Sequence, residues 1–451
     1  MAPKQIHLNF FEMACKGAHM GLGMWKNPGD MQPQKDSIEY YTWMAKLAEK
    51  GKITGIFFAD IYGVEDSFPG QFDAQFRSGA NCAQMDPIVF VSAMAAVTKS
   101  PFLLARTYST LDHATKGRVA WNVVTSYSNS SAKANGLDKI TPHDKRYEKA
   151  HEYIDLCYAL WEGSWEDGAE VFDHETGIAY DPSKVHNITY IGNHHKTAAI
   201  SAAHPSPQRT PVIFQAGQST AGKAFSALNA EAIFVGGSKP SDTAGYVKQI
   251  RAAAAANGRD PNHIKVFPQI TPILGRTMEE AQAKYDKYRA MADWRGGLAK
   301  ISNYLNVDLS AYPPDEEFDV KSIGKSDNAI HAMINTVKAQ AESVVVTPRL
   351  LGEKMAFCGF GPMPVGTPEM VADVFEDWAT NADIDGFNIA SLNPIMMLAE
   401  NMNAPMFGKI QWVWYSAVQP YMKNPRGSKM AAGTRSGRRN SGRPTPLYDD
   451  N

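Results

Sequence analysis

Apolar residues in this chain fall into short runs that alternate with helical patterns. Seven runs rich in Ile, Val and Phe predict strands at residues 5–13, 53–60, 117–126, 210–217, 231–237, 264–274 and 384–391. Amphipathic stretches between them predict helices, such as 37–52, which Gly51 ends, and 277–291, which a capping box from Thr277 to Glu280 begins. Strands that alternate with helices favour a parallel sheet covered by helices, so the predicted fold class is α/β.

The alternation is broken at residues 95–106, where AVTKSPFLLART places the end of one helix directly before the start of another. Ser100 is a typical N-cap and Pro101 a typical first helical residue, which leaves no room for a strand between the two helices. Seven predicted strands are one fewer than the eight that close a (β/α)8 barrel, or TIM barrel. The pattern therefore predicts a barrel whose third strand is missing between Thr98 and Pro101.

The predicted organisation is a single barrel domain over residues 1–422, followed by a tail at 423–451. Residues 292–364 interrupt the alternation before the last predicted strand, and we predict that this insertion forms a lid over the mouth of the barrel. The tail is basic and rich in Gly, Ser and Pro, which predicts disorder. A nucleic-acid-binding tail is less favoured, because the rest of the chain lacks the aromatic and basic character of such proteins.

Composition narrows the class of protein further. A chain of 451 residues with a net charge of −2 and 10% aromatic residues is typical of a globular protein with a large core, and gives no sign of nucleic-acid or membrane binding. The N-terminus lacks the apolar segment of a signal peptide, so we predict a cytoplasmic protein. Four well-separated cysteines, which lack any CxxC pair, are best interpreted as buried thiols: Cys15, Cys82, Cys157 and Cys358.

Candidate site residues follow the predicted strands, because the active site of a parallel barrel lies at the carboxyl ends of its strands. Asp60 ends the second strand in FFADIYG, where it could equally be a turn or helix-cap residue. His143 and Tyr147 are four residues apart near the start of a predicted helix, so they share one face close to a terminus that attracts anions. His151 continues that face, although such a His–Tyr pair is also common on ordinary surfaces.

Small and polar residues follow two further strands. Gly217, Ser219, Thr220 and Gly222 form a turn before a helix, which could hold the phosphate of a mononucleotide or be an ordinary strand-to-helix turn. Asn122, Thr125 and Ser126 end another strand and would suit a neutral ring system. GNHHK at 192–196 pairs two histidines without a third ligand at metal spacing, so we predict no metal site, and the absence of GxSxG argues against a serine nucleophile.

Taken together, these segments resemble the bacterial-luciferase-like flavin monooxygenases, and within them the group of nitrilotriacetate and dibenzothiophene sulfone monooxygenases. The resemblance runs from about residue 5 to 390 through LNFFEM, LAEKGKITGIFFAD, DPIVFVSAMAAVT, HDKRYEKAHEYIDLCYALWEGSW, SPQRTPVIFQAGQSTAG and DIDGFNIA. It implies a luciferase-like (β/α)8 barrel that receives reduced FMN from a separate NAD(P)H:flavin reductase. The flavin then reacts with O2 through a C4a-peroxyflavin to oxygenate a small organic substrate.

The resemblance also implies roles for individual residues and shows two departures from the family pattern. It places Asp60, His143 and Tyr147 beside the flavin and Ser219 at its phosphate. The missing third strand would have supplied a hydroxyl to the flavin pocket, and the sequence after Ser391 does not follow the family's last helix. The alternative is therefore a relative with impaired or no activity, arising from wrongly joined coding segments or serving as a scaffold, and a deazaflavin-dependent reductase is less favoured. We further expect a homo-oligomer.

Overall fold

The computed structural model describes residues 6–16, 19–51, 53–60, 71–86, 101–127, 129–134, 136–320, 323, 330–341 and 344–390. Within these ranges the chain forms thirteen strands, numbered along the sequence as β1 (His7–Met13), β2 (Gly55–Ala59), β3 (Ala120–Asn122), β4 (Glu170–Asp173), β5 (Ile178–Tyr180), β6 (Ile188–Ile191), β7 (Lys196–Ala199), β8 (Val212–Gln215), β9 (Ala232–Val235), β10 (Lys265–Ile270), β11 (Ile273–Leu274), β12 (Val365–Gly366) and β13 (Gly386–Ile389).

Helices account for most of the remaining described chain. They are α1 (Ile38–Lys50), α2 (Gln71–Ser78), α3 (Pro101–Thr115), α4 (Asn129–Ala134), α5 (His143–Gly163), α6 (Thr220–Asn229), α7 (Pro240–Ala256), α8 (Met278–Met291), α9 (Trp294–Leu305), α10 (His331–Ala341), α11 (Pro348–Ala356) and α12 (Pro368–Asn381). Single-turn 3₁₀ helices are at Met24–Lys26, Gln32–Gln34, Pro182–Lys184, Pro261–His263 and Leu309–Ala311. No helix in the described ranges is long and apolar enough to cross a bilayer.

One parallel sheet organises the fold, with strand order β2-β1-β13-β10-β9-β8-β3. Each of its seven strands falls within one of the seven predicted strands, so the α/β prediction is confirmed. The predicted strand at 264–274 is divided at Thr271, whose amide donates to the Pro362 carbonyl instead of to a strand of the sheet. After it, β11 leaves the sheet and pairs with β12 instead.

The sheet curls into a barrel around a cluster of phenylalanines. Phe57 on β2 lies 4.6 Å from Phe234 on β9, measured between ring centroids, although three strands separate β2 from β9 in the sheet. Phe214 is 5.2 Å from Phe234 and continues the same inner cluster, which Phe267 completes. Only a sheet curved on itself brings these side chains together, so the fold is of the predicted TIM type.

The opposite faces of the strands pack against the helices. Leu8, Ile233 and Phe387 point outward and are buried with side chains of α7 and α12, among them Val247, Ile250, Val371, Phe375 and Trp378. Successive strand residues face opposite sides of a sheet, so a cluster of four phenylalanines fills the lumen while mostly branched aliphatic residues cover the outside. This division explains why the strands read as continuous apolar runs in the sequence.

β2 and β3 are the two edges of the described sheet. The chain between them includes residues 61–70 and 87–100, which lie outside the described residues. The predicted loss of a strand between Thr98 and Pro101 falls in this part and stays a prediction. The same holds for the atypical sequence after Ser391 and for the predicted tail at 423–451, whereas α3 does begin at Pro101 as expected.

The predicted insertion at 292–364 is largely helical where it is described. Helix α9 crosses α11 at two glycines: a Cβ on Gly297 would lie 2.0 Å from the carbonyl oxygen of Gly352. Apolar side chains from α9, α10 and α11 form a separate core with Leu309 and Phe318. The region therefore has packing of its own, while its function as a lid stays a prediction.

A network of charges around one buried carboxylate joins the amino ends of the strands. The Asp385 carboxylate is 6% exposed and accepts hydrogen bonds from the Val266 amide at 3.0 Å, Arg251 Nη2 at 3.1 Å and Lys265 Nζ at 3.3 Å. The Asp385 carbonyl accepts a further bond from the His7 amide at 2.9 Å. One residue thus links β1, β10, β13 and α7 at the face of the barrel that serves stability.

We expect Asp385→Asn to lower the free energy of unfolding by about 1–3 kcal/mol, because it removes the buried carboxylate that accepts hydrogen bonds from Val266, Arg251 and Lys265. Urea denaturation followed by circular dichroism measures this change. Asp315→Asn is the control: Asp315 also pairs with an arginine, Arg349, but at the exposed surface, so its loss should not measurably change stability. Equal stability of Asp385→Asn and the wild type would contradict the role given to the network.

Candidate functional site

The candidate site lies in the turn that joins β8 to α6, at the carboxyl end of the sheet. Ser219 is the N-cap of α6, and its Oγ accepts a hydrogen bond from the Gly222 amide at 3.1 Å. This bond satisfies one of the amides that a helix start leaves without a partner, and the cap fixes the direction in which the helix begins. The amino end of α6 therefore faces the mouth of the barrel.

His143 is bound to this turn from the amino end of α5. Its Nε2 lies 3.1 Å from Ser219 Oγ, and its Nδ1 lies 2.8 Å from the carboxylate of Asp144. In the tautomer whose Nδ1–H donates to Asp144, the imidazole Nε2 accepts a hydrogen bond from the Ser219 hydroxyl. Two residues 76 positions apart in the sequence thus share one hydrogen bond beside a helix terminus.

Tyr147 lies one helical turn after His143, with ring centroids 5.1 Å apart. It is buried and packs against Phe225 of α6. A Cβ placed on Gly217 would lie 2.4 Å from the Tyr147 hydroxyl, and one placed on Gly222 would lie 2.8 Å from it. The two glycines are therefore required for the phenol to approach the backbone of the turn.

The structure thus brings together three of the four predicted flavin-site residues: His143, Tyr147 and Ser219. The fourth, Asp60, is exposed at the carboxyl end of β2, at one edge of the sheet, whereas β8 is next to the other edge. Because the sheet is curved, both ends open at the same mouth. His151 packs its ring against Phe225 at 4.8 Å, so it contributes to the contact between α5 and α6.

A second glycine turn beside the first was missed in the sequence. Gly236 and Gly237 follow β9, and a Cβ on Gly236 would lie 3.6 Å from Gln218 Nε2. A Cβ on Gly237 would lie 2.3 Å from Thr243 Oγ1 in α7, so this turn is tightly packed at Gly237, whereas Gly236 has room for a side-chain carbon. The signal was present as Gly-Gly directly after an apolar run.

The other polar candidates take separate positions. Asn122 ends β3 with its Oδ1 buried and without a hydrogen-bond partner, and Ser126 adopts a left-handed backbone with φ 61°.

The backbone amides of Asn193, His194 and His195 all donate to Glu152 on α5. Burial would raise the pKa of Glu152, but these amides hold it below its usual range.

Glu152 therefore fastens the hairpin formed by β6 and β7 to α5, and the paired histidines of GNHHK contribute backbone groups to this contact. Within the described ranges, no group of three or more His, Cys, Asp or Glu side chains is arranged to hold a metal ion.

Comparison with known proteins gives a consistent result. The family model described as luciferase-like monooxygenase matches residues 21–383. The chain is 39% identical to a dimethyl-sulfide monooxygenase of Hyphomicrobium sulfonivorans, over 86% of this chain and 82% of that protein. It is also 39% identical to a long-chain alkane monooxygenase of Geobacillus thermodenitrificans (strain NG80-2), over 86% of this chain and 85% of that one.

A solved structure shares the fold as well. The crystal structure of DmoA from Hyphomicrobium sulfonivorans superposes with a TM-score of 0.81 at 37% identity, covering 90% of this chain and 88% of that one. The group named by the sequence resemblance also matches. Nitrilotriacetate monooxygenase component A of Aminobacter aminovorans is 31% identical over 89% of this chain and 90% of that protein. A dibenzothiophene-sulfone monooxygenase of Rhodococcus erythropolis (strain XP) is 31% identical over 86% of this chain and 88% of that protein, so the resemblance is confirmed.

We expect Gly222→Ala to lower the free energy of unfolding by about 1–3 kcal/mol, because the new methyl group displaces the Tyr147 hydroxyl and the Gly217 backbone. Gly245→Ala is the matched control, since Gly245 is also helical and has nothing within 4 Å of its added Cβ. That change should stabilise the chain by about 0.5–1 kcal/mol through helix propensity. Denaturant titration of both variants checks the pair, and equal effects would contradict the close packing described here.

Proposed function

This chain belongs to the luciferase-like monooxygenase family, a class of oxygen-incorporating oxidoreductases, and from that premise we propose that it uses reduced FMN and O2 to oxygenate a small organic substrate. The observation that carries the proposal is the convergence of His143, Tyr147 and Ser219 on two glycines at the start of α6. These residues lie at the mouth of the barrel, where active sites of this architecture are built.

The chemistry of the turn suits a phosphate monoester such as that of FMN. A helix start offers backbone N–H groups and a partial positive charge, and close glycines let an oxyanion approach the backbone. Ser219 and Tyr147 add hydroxyl groups, and His143 adds an imidazole within hydrogen-bond distance of Ser219 Oγ. We assign the phosphate to these residues and place Asp60 beside the ring system.

The bound flavin supplies the two electrons with which one atom of O2 enters the substrate and the other leaves as water. The side chains around the site bind and orient this group. His143 orients the Ser219 hydroxyl, the α6 terminus offsets the phosphate charge, and Phe57 and Phe234 fill the lumen below and keep water out of it.

A separate NAD(P)H:flavin reductase is the partner that we propose for supplying reduced FMN. The name of one relative, component A, indicates a protein that acts with at least one other component. Another relative, at 26% identity, is named an FMNH2-dependent monooxygenase. Substrates to examine first are those of the relatives with the highest identities given above, dimethyl sulfide and long-chain alkanes.

The first test is anaerobic titration with reduced FMN and reduced riboflavin. We expect saturable binding of FMN, and we expect His143→Ala and Ser219→Ala each to weaken it by about tenfold to hundredfold while changing riboflavin affinity little. His204→Ala, a surface histidine that stacks on His113, serves as the control and should match the wild type. A well-folded chain without saturable FMN binding would reject the proposal in favour of an inactive relative.

The second test measures oxygenation directly. Purified chain, a flavin reductase, NADH, FMN and ¹⁸O2 are incubated with dimethyl sulfide or with a long-chain alkane, and the products are analysed by mass spectrometry. We expect one labelled oxygen atom per product molecule from at least one substrate, because a monooxygenase transfers a single atom of O2. If NADH is consumed with both substrates and neither yields product, the proposal that this chain oxygenates dimethyl sulfide or long-chain alkanes is contradicted.

A further inference from the structure

We infer that Gln215 is a positioning residue for the phosphate turn, an assignment that rests on the proposed function and deepens it. Gln215 is the last residue of β8 and faces the helices, on the same side of the strand as Ile213. It is 1% exposed at a position where the strand pattern calls for an apolar side chain. Burying an amide there is costly unless it makes hydrogen bonds, so its contacts indicate its function.

The carbonyl oxygen of the Gln215 side chain accepts two hydrogen bonds. One donor is the backbone amide of Gly217, in the turn itself, and the other is the hydroxyl of Ser226 in α6, at 2.9 Å. An amide oxygen has two lone pairs, so both bonds are satisfied at once. A single side chain thus connects the end of β8, the turn and the second turn of α6.

These bonds leave Gly217 held from two sides. A Cβ on Gly217 would lie 2.9 Å from Gln215 Nε2 and 2.4 Å from the Tyr147 hydroxyl, so the residue fits between the amide and the phenol. Its N–H donates to Gln215 and is therefore not available to a ligand. The amides left to face a ligand are therefore those that begin α6, whose position depends on the same side chain through Ser226.

The use of a neutral amide is the second part of the inference. A glutamate would also accept both hydrogen bonds, but it would place a buried negative charge beside the group that binds a phosphate. Gln215 fixes the turn without repelling the anion, and it therefore contributes to the preference for a phosphorylated flavin over the unphosphorylated one.

The experiment compares the dissociation constants of reduced FMN and reduced riboflavin, measured by anaerobic ultrafiltration, in the wild type, Gln215→Glu and Gln215→Leu. At pH 8 we expect Gln215→Glu to bind FMN about tenfold more weakly, with riboflavin affinity nearly unchanged, because only FMN carries the charge that is repelled. As the pH falls and the introduced carboxyl takes up a proton, the difference from the wild type at the same pH should narrow.

Gln215→Leu removes the acceptor without adding charge. We expect about a tenfold loss of FMN affinity and less than about a threefold loss of riboflavin affinity. The substitution frees the turn that contacts the phosphate, whereas riboflavin has no phosphate and does not depend on this turn. Gln208→Leu is the matched control. It removes an amide that donates to Asp112 and to the Val119 carbonyl near the amino end of β8, and it should leave the ratio of the two affinities unchanged.

Two results would overturn the inference. One is FMN binding by Gln215→Glu equal to that of the wild type at every pH. The other is a proportional loss of FMN and riboflavin affinity in both Gln215 variants, which would indicate a structural role alone. A wild-type chain with no preference for FMN would reject the phosphate site itself, and with it the role of Gln215; circular dichroism of each variant confirms that the fold is retained.

Discussion

The packing of Phe57 against Phe234 is the contact on which the geometry of the site depends. Their strands are not neighbours in the sheet, so the 4.6 Å separation of their rings exists only because the sheet is curved. That curvature turns the carboxyl ends of β2 and β8 toward one mouth, although these strands lie near opposite edges. Without the curvature, Asp60 and the turn before α6 would not open into a common space.

The site itself depends on small residues and on neutral hydrogen bonds. Gly217 and Gly222 let the Tyr147 hydroxyl reach the backbone, and Ser219 accepts the Gly222 amide while it is bonded to His143. The contacts of His143 and Tyr147 tie α5 to the start of α6, so the turn is held by two helices as well as by its strand. A site fixed from several directions keeps its donors in place before a ligand arrives, which lowers the entropic cost of binding.

The sheet strands could be predicted from the sequence because buried parallel strands are continuous apolar runs, and all seven were found. The hairpin of β4 and β5 was not, since its seven residues are all exposed and their short runs carry no burial pattern. In the site, helical spacing places His143 beside Tyr147, and the turn residues single out Ser219. The bond between His143 and Ser219 has no local signal, because it joins residues from separate helices through the tertiary fold.

The two ends of the barrel use polar groups in opposite ways, and this contrast explains why Gln215 escaped prediction. At the amino ends, the buried Asp385 carboxylate pairs with the partly exposed Arg251 and Lys265, so full charges offset one another and hold the strands together. At the carboxyl ends, the groups in contact with the turn are an amide, a phenol, a hydroxyl and an imidazole. A buried carboxylate would satisfy the same backbone donors but would also cancel the positive end of α6. A neutral side chain such as that of Gln215 therefore suits a site where the ligand supplies the negative charge. In the sequence, this glutamine cannot be distinguished from an ordinary polar residue at the end of a strand.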